Sequence, residues 1–316
     1  MRSLLHVLAL ASLACGGMST PASTPSASAT PTSPSPGGWR ATPNTAFRIQ
    51  GASIPNAGWV SNEVWLTVGT PQGLRVFRSP DGSAQSTPEV ISGLANALDG
   101  TGFNPTETVP RQNAAGVREL YVLGLGPPGT NRSVLFRLQE SGGTFVRNPS
   151  RAAFDALASD NTGFIGVPDV YRAPDGRHRL VYVDKGGSRQ NARTAVSADQ
   201  GATFTAEGSN PFGDLALSGP ADTNVDPAVL ALASGGYLAV AMRLTRLYVF
   251  TSVDGLTFTP QAGPPIEAAS FLAGATGLFD PTLVQLPDGT VLMHTTLEDD
   301  QKRSSVVQAT LRLIAP

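Results

Sequence analysis

From Trp39 onward the apolar residues fall in short runs, broken by Gly, Pro, Asp, Asn and Ser. Apolar positions at alternate residues fit strands, and the breaking residues are turn formers. The pattern predicts an all-β chain of many short antiparallel strands, and it repeats. Each unit opens with an Asp-Pro-like pair at the head of one strand, passes a glycine turn and enters a second apolar strand. VDPAVLALASGGYLAVAM from Val225 and FDPTLVQLPDGTVLMHTT from Phe279 show this best. FNPTETVP from Phe103 and VPDVYRAPDGRHRLVYVD from Val167 are looser copies, and FRIQGASIPNAGWVSNEVWLTV from Phe47 is the weakest. The heads fall near Gln50, Asn104, Val167, Asp226 and Asp280, so the unit recurs every 54 to 63 residues.

The second half of the unit is a strand running into a Ser-x-Asp turn followed by an aromatic. SADQGATF from Ser197 and SVDGLTF from Ser252 are clear cases; SPDGSAQ from Ser79 and ESGGTF from Glu140 are eroded ones. In such a turn the carboxylate and hydroxyl bond backbone amides, Gly takes the positive φ and the aromatic covers the hairpin. Two hairpins per unit make a four-stranded antiparallel sheet, and about 50 residues per sheet is the period of a β-propeller blade. Five blades account for residues 39–316. The last strand, SSVVQATLRL from Ser304, has no turn of this kind after it, so the segment Trp39 to Thr45 is expected to complete that blade and close the ring. A six-bladed ring with one blade in residues 83–102, or a β-sandwich, is the alternative architecture.

Composition narrows the partners. Charged residues are 15% of the chain and the net charge is -2, so no basic field exists to attract nucleic acid. Arg2, an apolar run over residues 4–13 and Ala14-Cys15 form a signal-peptide layout over residues 1–14, too short to span a bilayer. Ser12-Leu13-Ala14-Cys15 resembles the lipobox of bacterial lipoproteins, with Ser12 where Leu is usual. Cys15 is the only cysteine, so it has no intramolecular disulfide partner and is expected to be the lipidation site. Residues 15–38 are almost all Gly, Ser, Thr, Ala and Pro, too polar to offset the entropy of ordering, and read as a tether. An exported, lipid-anchored monomer on the outer membrane or cell surface follows, touching the membrane through its anchor alone.

The strand heads of a propeller converge on its central funnel. Here they supply Arg48, Asn104, Glu107, Asp169, Asp226 and Asp280. Convergent carboxylates suit glycoside hydrolysis, which needs one protonated acid and one ionised base or nucleophile. No cofactor or metal is expected, because the body has no cysteine and only His178 and His294. His178, in a turn, reads as solvated, and His294 as lining the core.

The repeat and the Ser-x-Asp turns resemble the Asp boxes of the sialidase superfamily. That resemblance implies that Asp226 stands where a glutamate assists the family's tyrosine nucleophile, and that Arg243 binds a substrate carboxylate. It also implies that Arg48 in Phe-Arg-Ile-Gln, and Arg303 before SSVVQATL, complete an arginine clamp. The nucleophile itself has no counterpart, since no tyrosine follows Tyr248. Five blades with Asp-Pro heads also resemble glycoside hydrolase families 43 and 32, whose carboxylates lie in early blades, where the heads here are Gln50 and Asn104. The expectation is a non-catalytic module binding a glycan or an envelope or extracellular protein, the alternative being a glycoside hydrolase with an altered site.

Overall fold

The structure is a computed structural model that describes residues 38–82, 87–147, 151–159, 163, 165–184, 190–207, 210–213 and 224–314. The signal segment, Cys15 and the tether lie outside the described residues except for Gly38.

Five antiparallel sheets make up the fold. The chain enters through β1 (Gly38–Gln50). Blade I follows as β2 (Ser53–Val60), β3 (Glu63–Thr70), β4 (Gly73–Ser79) and β5 (Glu89–Val90). Blade II is β6 (Asn104–Gln112), β7 (Arg118–Leu125) and β8 (Ser133–Ser141), with two short strands, β9 (Thr144–Arg147) and β10 (Phe154–Asp155), both paired to β8. Blade III is β11 (Ile165–Arg172), β12 (His178–Asp184), β13 (Asn191–Ser197) and β14 (Thr205–Ala206). Blade IV is β15 (Val225–Ala231), β16 (Tyr237–Arg243), β17 (Arg246–Ser252) and β18 (Thr259–Pro260). Blade V is β19 (Gly277–Gln285), β20 (Val291–Glu298) and β21 (Ser304–Ile314), and its fourth strand is β1, paired with β21 from Gly38–Ile314 to Gln50–Ser305. The first strand thus closes the last blade, which hides the edge that β21 would expose. The alternating pattern places Leu, Val, Ile and aromatics between blades, in clusters such as Leu238, Val240, Leu283, Met293 and Val307.

Strands β2, β6, β11, β15 and β19 line the shaft. Each carries a bulge near its head. Each head also holds an X-Pro pair, at Pro55, Pro105, Pro168, Pro227 and Pro281. The residue before proline has positive φ in four of them: Ile54 at 52°, Val167 at 44°, Asp226 at 49° and Asp280 at 48°. Such φ is costly for β-branched side chains, so the heads need support from outside their own strand. Blade I shows that Gln50 is not its head. It ends β1 on the outermost strand of blade V, and Ile54-Pro55 occupies the position that Asp226-Pro227 holds in blade IV.

The Ser-x-Asp turns sit between third and fourth strands, at the end opposite the heads. Ser197 Oγ donates to Asp199 Oδ1 at 2.8 Å and accepts the Gly201 N–H at 2.7 Å. Ser252 and Asp254 repeat this at 2.8 Å with the Gly255 N–H at 2.9 Å, and Ser79, Asp81 and Gly82 repeat it at 3.0 Å. The turn glycine then receives a bond from the preceding blade: Tyr121 Oη to Gly201 O at 3.1 Å, Tyr171 Oη to Gly255 O at 2.7 Å, and Gln308 Nε2 to Gly82 O at 2.6 Å. A Cβ at Gly201 would lie 2.1 Å from Tyr121 Oη, so that close approach requires glycine. These turns are interblade joints.

Candidate functional site at the strand heads

Three head carboxyls meet at one mouth of the shaft. Glu107 of blade II is 7% exposed and Asp226 of blade IV 8%; Asp280 of blade V is half-buried. Their amide partners come from the neighbouring blade. The Val167 N–H points at the Glu107 carboxyl and the Asp280 N–H at the Asp226 carboxyl. The Ile54 N–H donates to Thr296 Oγ1 at 2.8 Å, and that hydroxyl donates to Asp280 Oδ2 at 3.2 Å. Three of the four positive-φ amides, those of Ile54, Val167 and Asp280, thus face an acceptor in the blade before them, which is what a buried N–H requires.

Among the described residues no cation offsets this cluster. Burial pushes Glu107 up to about 8, with the charges of Asp280 and Asp226 adding to it and the Val167 amide opposing it. Asp280 is pushed up by burial to about 6, against the Thr296 hydroxyl. Asp226 is raised well above the usual carboxylate range, by burial first and by the Asp280 charge second. Glu107 Oε2 is buried without a hydrogen-bond partner among the described residues. Two more orphaned atoms lie at the blade IV head: Asn224 Oδ1 precedes Asp226, and Arg243 Nε is one residue past the Val225–Met242 pair. Among the described residues, no group of three or more His, Cys, Asp or Glu side chains is arranged to hold a metal ion.

Of the remaining sequence candidates, Arg243 stands at the blade IV head, and the others lie apart from the three carboxyls. Asp169 is buried and accepts hydrogen bonds from Val170 N at 2.8 Å, Val229 N at 2.9 Å and the Arg111 guanidinium, which ties blades II, III and IV together. Burial raises it, and Arg111 pulls it back. Arg48, on the outermost strand of blade V, donates to Ser305 Oγ at 3.0 Å. Arg303 is exposed and pairs with Asp299 at 2.8 Å. The Arg243 guanidinium lies over the Tyr248 ring, 4.8 Å from its centre. No two of these arginines share a partner among the described residues. His294 is buried and 2.9 Å from Gln308 Nε2.

A concavity opens at the other mouth, where the inner strands end. It is a basin of about 710 Å3 bordered by Trp59, Arg111, Tyr121, Arg172, His178 and Gln200, among others. The sequence reading did not find it. Some of its residues sit within the repeated turns, Gln200 in a Ser-x-Asp turn and His178 after a glycine turn, but at positions that the repeat does not fix.

No family model matches the sequence, and no curated protein matches it. Solved structures do. The xyloglucan PUL protein GH43B of Bacteroides ovatus superposes with a TM-score of 0.60 at 14% identity, covering 85% of this chain and 54% of that one. The α-L-arabinofuranosidase of Lactobacillus brevis gives 0.57 at 15% identity over 83% of this chain and 91% of that one. The endo-arabinase of Bacteroides thetaiotaomicron gives 0.58 at 13%, over 84% and 95%. The fold is shared with family-43 glycoside hydrolases. The chain spans about half the length of the Bacteroides ovatus protein, and identities this low establish the fold alone.

Proposed function

We propose that the protein is a glycoside hydrolase of altered site, working at the mouth where Glu107, Asp226 and Asp280 meet. The observation that carries this reading is the raised and unequal proton affinity of three head carboxyls with no cation beside them among the described residues. Near pH 7 Asp280 is ionised while Glu107 holds its proton, and burial raises Asp226 in the same direction. Glycoside hydrolysis needs that combination, one acid aimed at the leaving oxygen and one carboxylate acting as base or nucleophile. Glu107 is assigned as the acid, its orphaned Oε2 carrying the proton. Asp280 is the base or nucleophile. Asp226 is a positioning residue, its carboxyl facing the Asp280 amide.

The superposed structures named as an arabinofuranosidase and an endo-arabinase suggest which substrates to try. Purified protein should release nitrophenol from an aryl α-L-arabinofuranoside or β-D-xyloside. Glu107→Gln and Asp280→Asn should each lower kcat by about 10²- to 10⁴-fold. Folded wild-type protein inert on all such glycosides would contradict the proposal.

A second reading, a non-catalytic module that binds a glycan or protein, is favoured by one observation. Glu107 and Asp226 are nearly covered, and each faces an amide of the next blade, as purely structural carboxyls would. In that case the two substitutions change melting temperature and nothing else. In either reading we propose that Cys15 is lipidated and holds the propeller to the envelope through the tether, on the strength of the lipobox-like sequence.

A further inference from the structure

The basin at the opposite mouth has a floor and walls of different character. Val170, Val229 and Leu283 are buried beneath it. One wall is held rigid: Glu119 accepts from Asn113 at 2.6 Å, from Gln139 at 2.9 Å and from Arg137 at 2.5 Å. Around this frame three side chains, Trp59, His178 and Gln200, make no hydrogen bond with the rest of the described protein. The indole of Trp59 is half-buried, Gln200 stands exposed at a positive-φ turn position, and His178 Nδ1 is without a partner. Arg111 is neutralised by Asp169 and Arg137 by Glu119, so Arg172 is the one bordering guanidinium without a carboxylate among the described residues.

We propose that this basin binds a neutral oligosaccharide, as a site separate from the carboxyl cluster. A sugar ring presents an apolar C–H face and a girdle of hydroxyls. An indole suits the first, and side chains with unspent donors and acceptors on a rigid frame suit the second. A single unpaired guanidinium gives no field for a polyanion, and the polar walls disfavour a purely apolar ligand. The volume falls within the ~300–1,000 Å3 typical of small-ligand sites.

Glu107→Gln protein, in which any turnover of the probes is slowed, is titrated calorimetrically with hexasaccharides of xylose, arabinose and glucose, alone and combined with Trp59→Ala or Gln200→Ala. Binding of at least one hexasaccharide is expected, weakened about tenfold or more by Trp59→Ala and severalfold by Gln200→Ala. Gln200 is exposed, so its replacement leaves the fold intact should Trp59→Ala disturb it. No binding, or isotherms unchanged by both substitutions, would overturn the proposal. Hydrolysis by wild-type protein reads out separately, so the two sites fail or succeed independently.

Discussion

Glu107 owes its chemistry to neighbours that are distant in sequence. Asp226 and Asp280 reach it only when the ring closes, and desolvation holds its proton to about pH 8. This has a consequence for stability. Folded Glu107 titrates near 8 and an unfolded glutamate near 4.5, so between those values the folded state binds more protons and stability falls as pH rises. His294 acts in the opposite sense. Burial pushes it down to about 3 from 6.5, so it costs stability as pH falls below 6.5. Between pH 6.5 and 8 the raised carboxyls therefore dominate these two effects. The melting temperature should drop across that window, and Glu107→Gln should flatten the drop and raise the melting point at pH 8. A wild-type melting temperature that climbs from pH 6.5 to 8 would show that Glu107 is not buried as described. Sequence could nominate the head carboxyls, yet Asp169 and Glu107 look alike there. Only the structure separates Asp169, paired with Arg111, from Glu107, whose neighbours share its charge.

At the scale of the element, the Ser-x-Asp turns were legible because their bonds are local. Asp199 holds the Thr203 N–H at 2.7 Å and hydroxyl at 2.6 Å, and Asp254 the Leu256 N–H at 2.8 Å. Their role between blades was not legible, since it depends on Tyr121 and Tyr171 arriving from the preceding blade. Asp199→Ala and Asp254→Ala should each cost about 1 to 3 kcal/mol in denaturant unfolding, with glycoside hydrolysis unchanged because the turns lie at the far end from the carboxyls. Lost activity at full stability would place these turns in the site instead. The head of blade I was misread for a related reason. Asp-Pro marks blades IV and V, whereas blade I has Ile54-Pro55, and the alternating segment Phe47-Arg48-Ile49 imitates a strand entry. Proline, repeated in all five inner strands, is the steadier marker.

For the whole molecule, the count of five blades and the closing role of β1 could be read from the repeat and from the missing strand after Ser304. A period of 54 to 63 residues leaves room for four strands per sheet and little else. Attachment to the envelope rests on Cys15, which lies outside the described residues. If, as proposed, acyl chains on that residue anchor the protein, Cys15→Ser should move it from the detergent phase to the soluble fraction. Sedimentation of the mutant with membranes in high salt would refute lipid anchoring. Closure of the ring brings blades II, IV and V to a shared mouth, and the pH dependence of kcat/KM on an aryl glycoside tests that arrangement most directly. The account predicts a bell, rising near pH 6 as Asp280 ionises and falling near pH 8 as Glu107 loses its proton. A profile flat between pH 5 and 9, or a bell unaltered by Glu107→Gln, would contradict it.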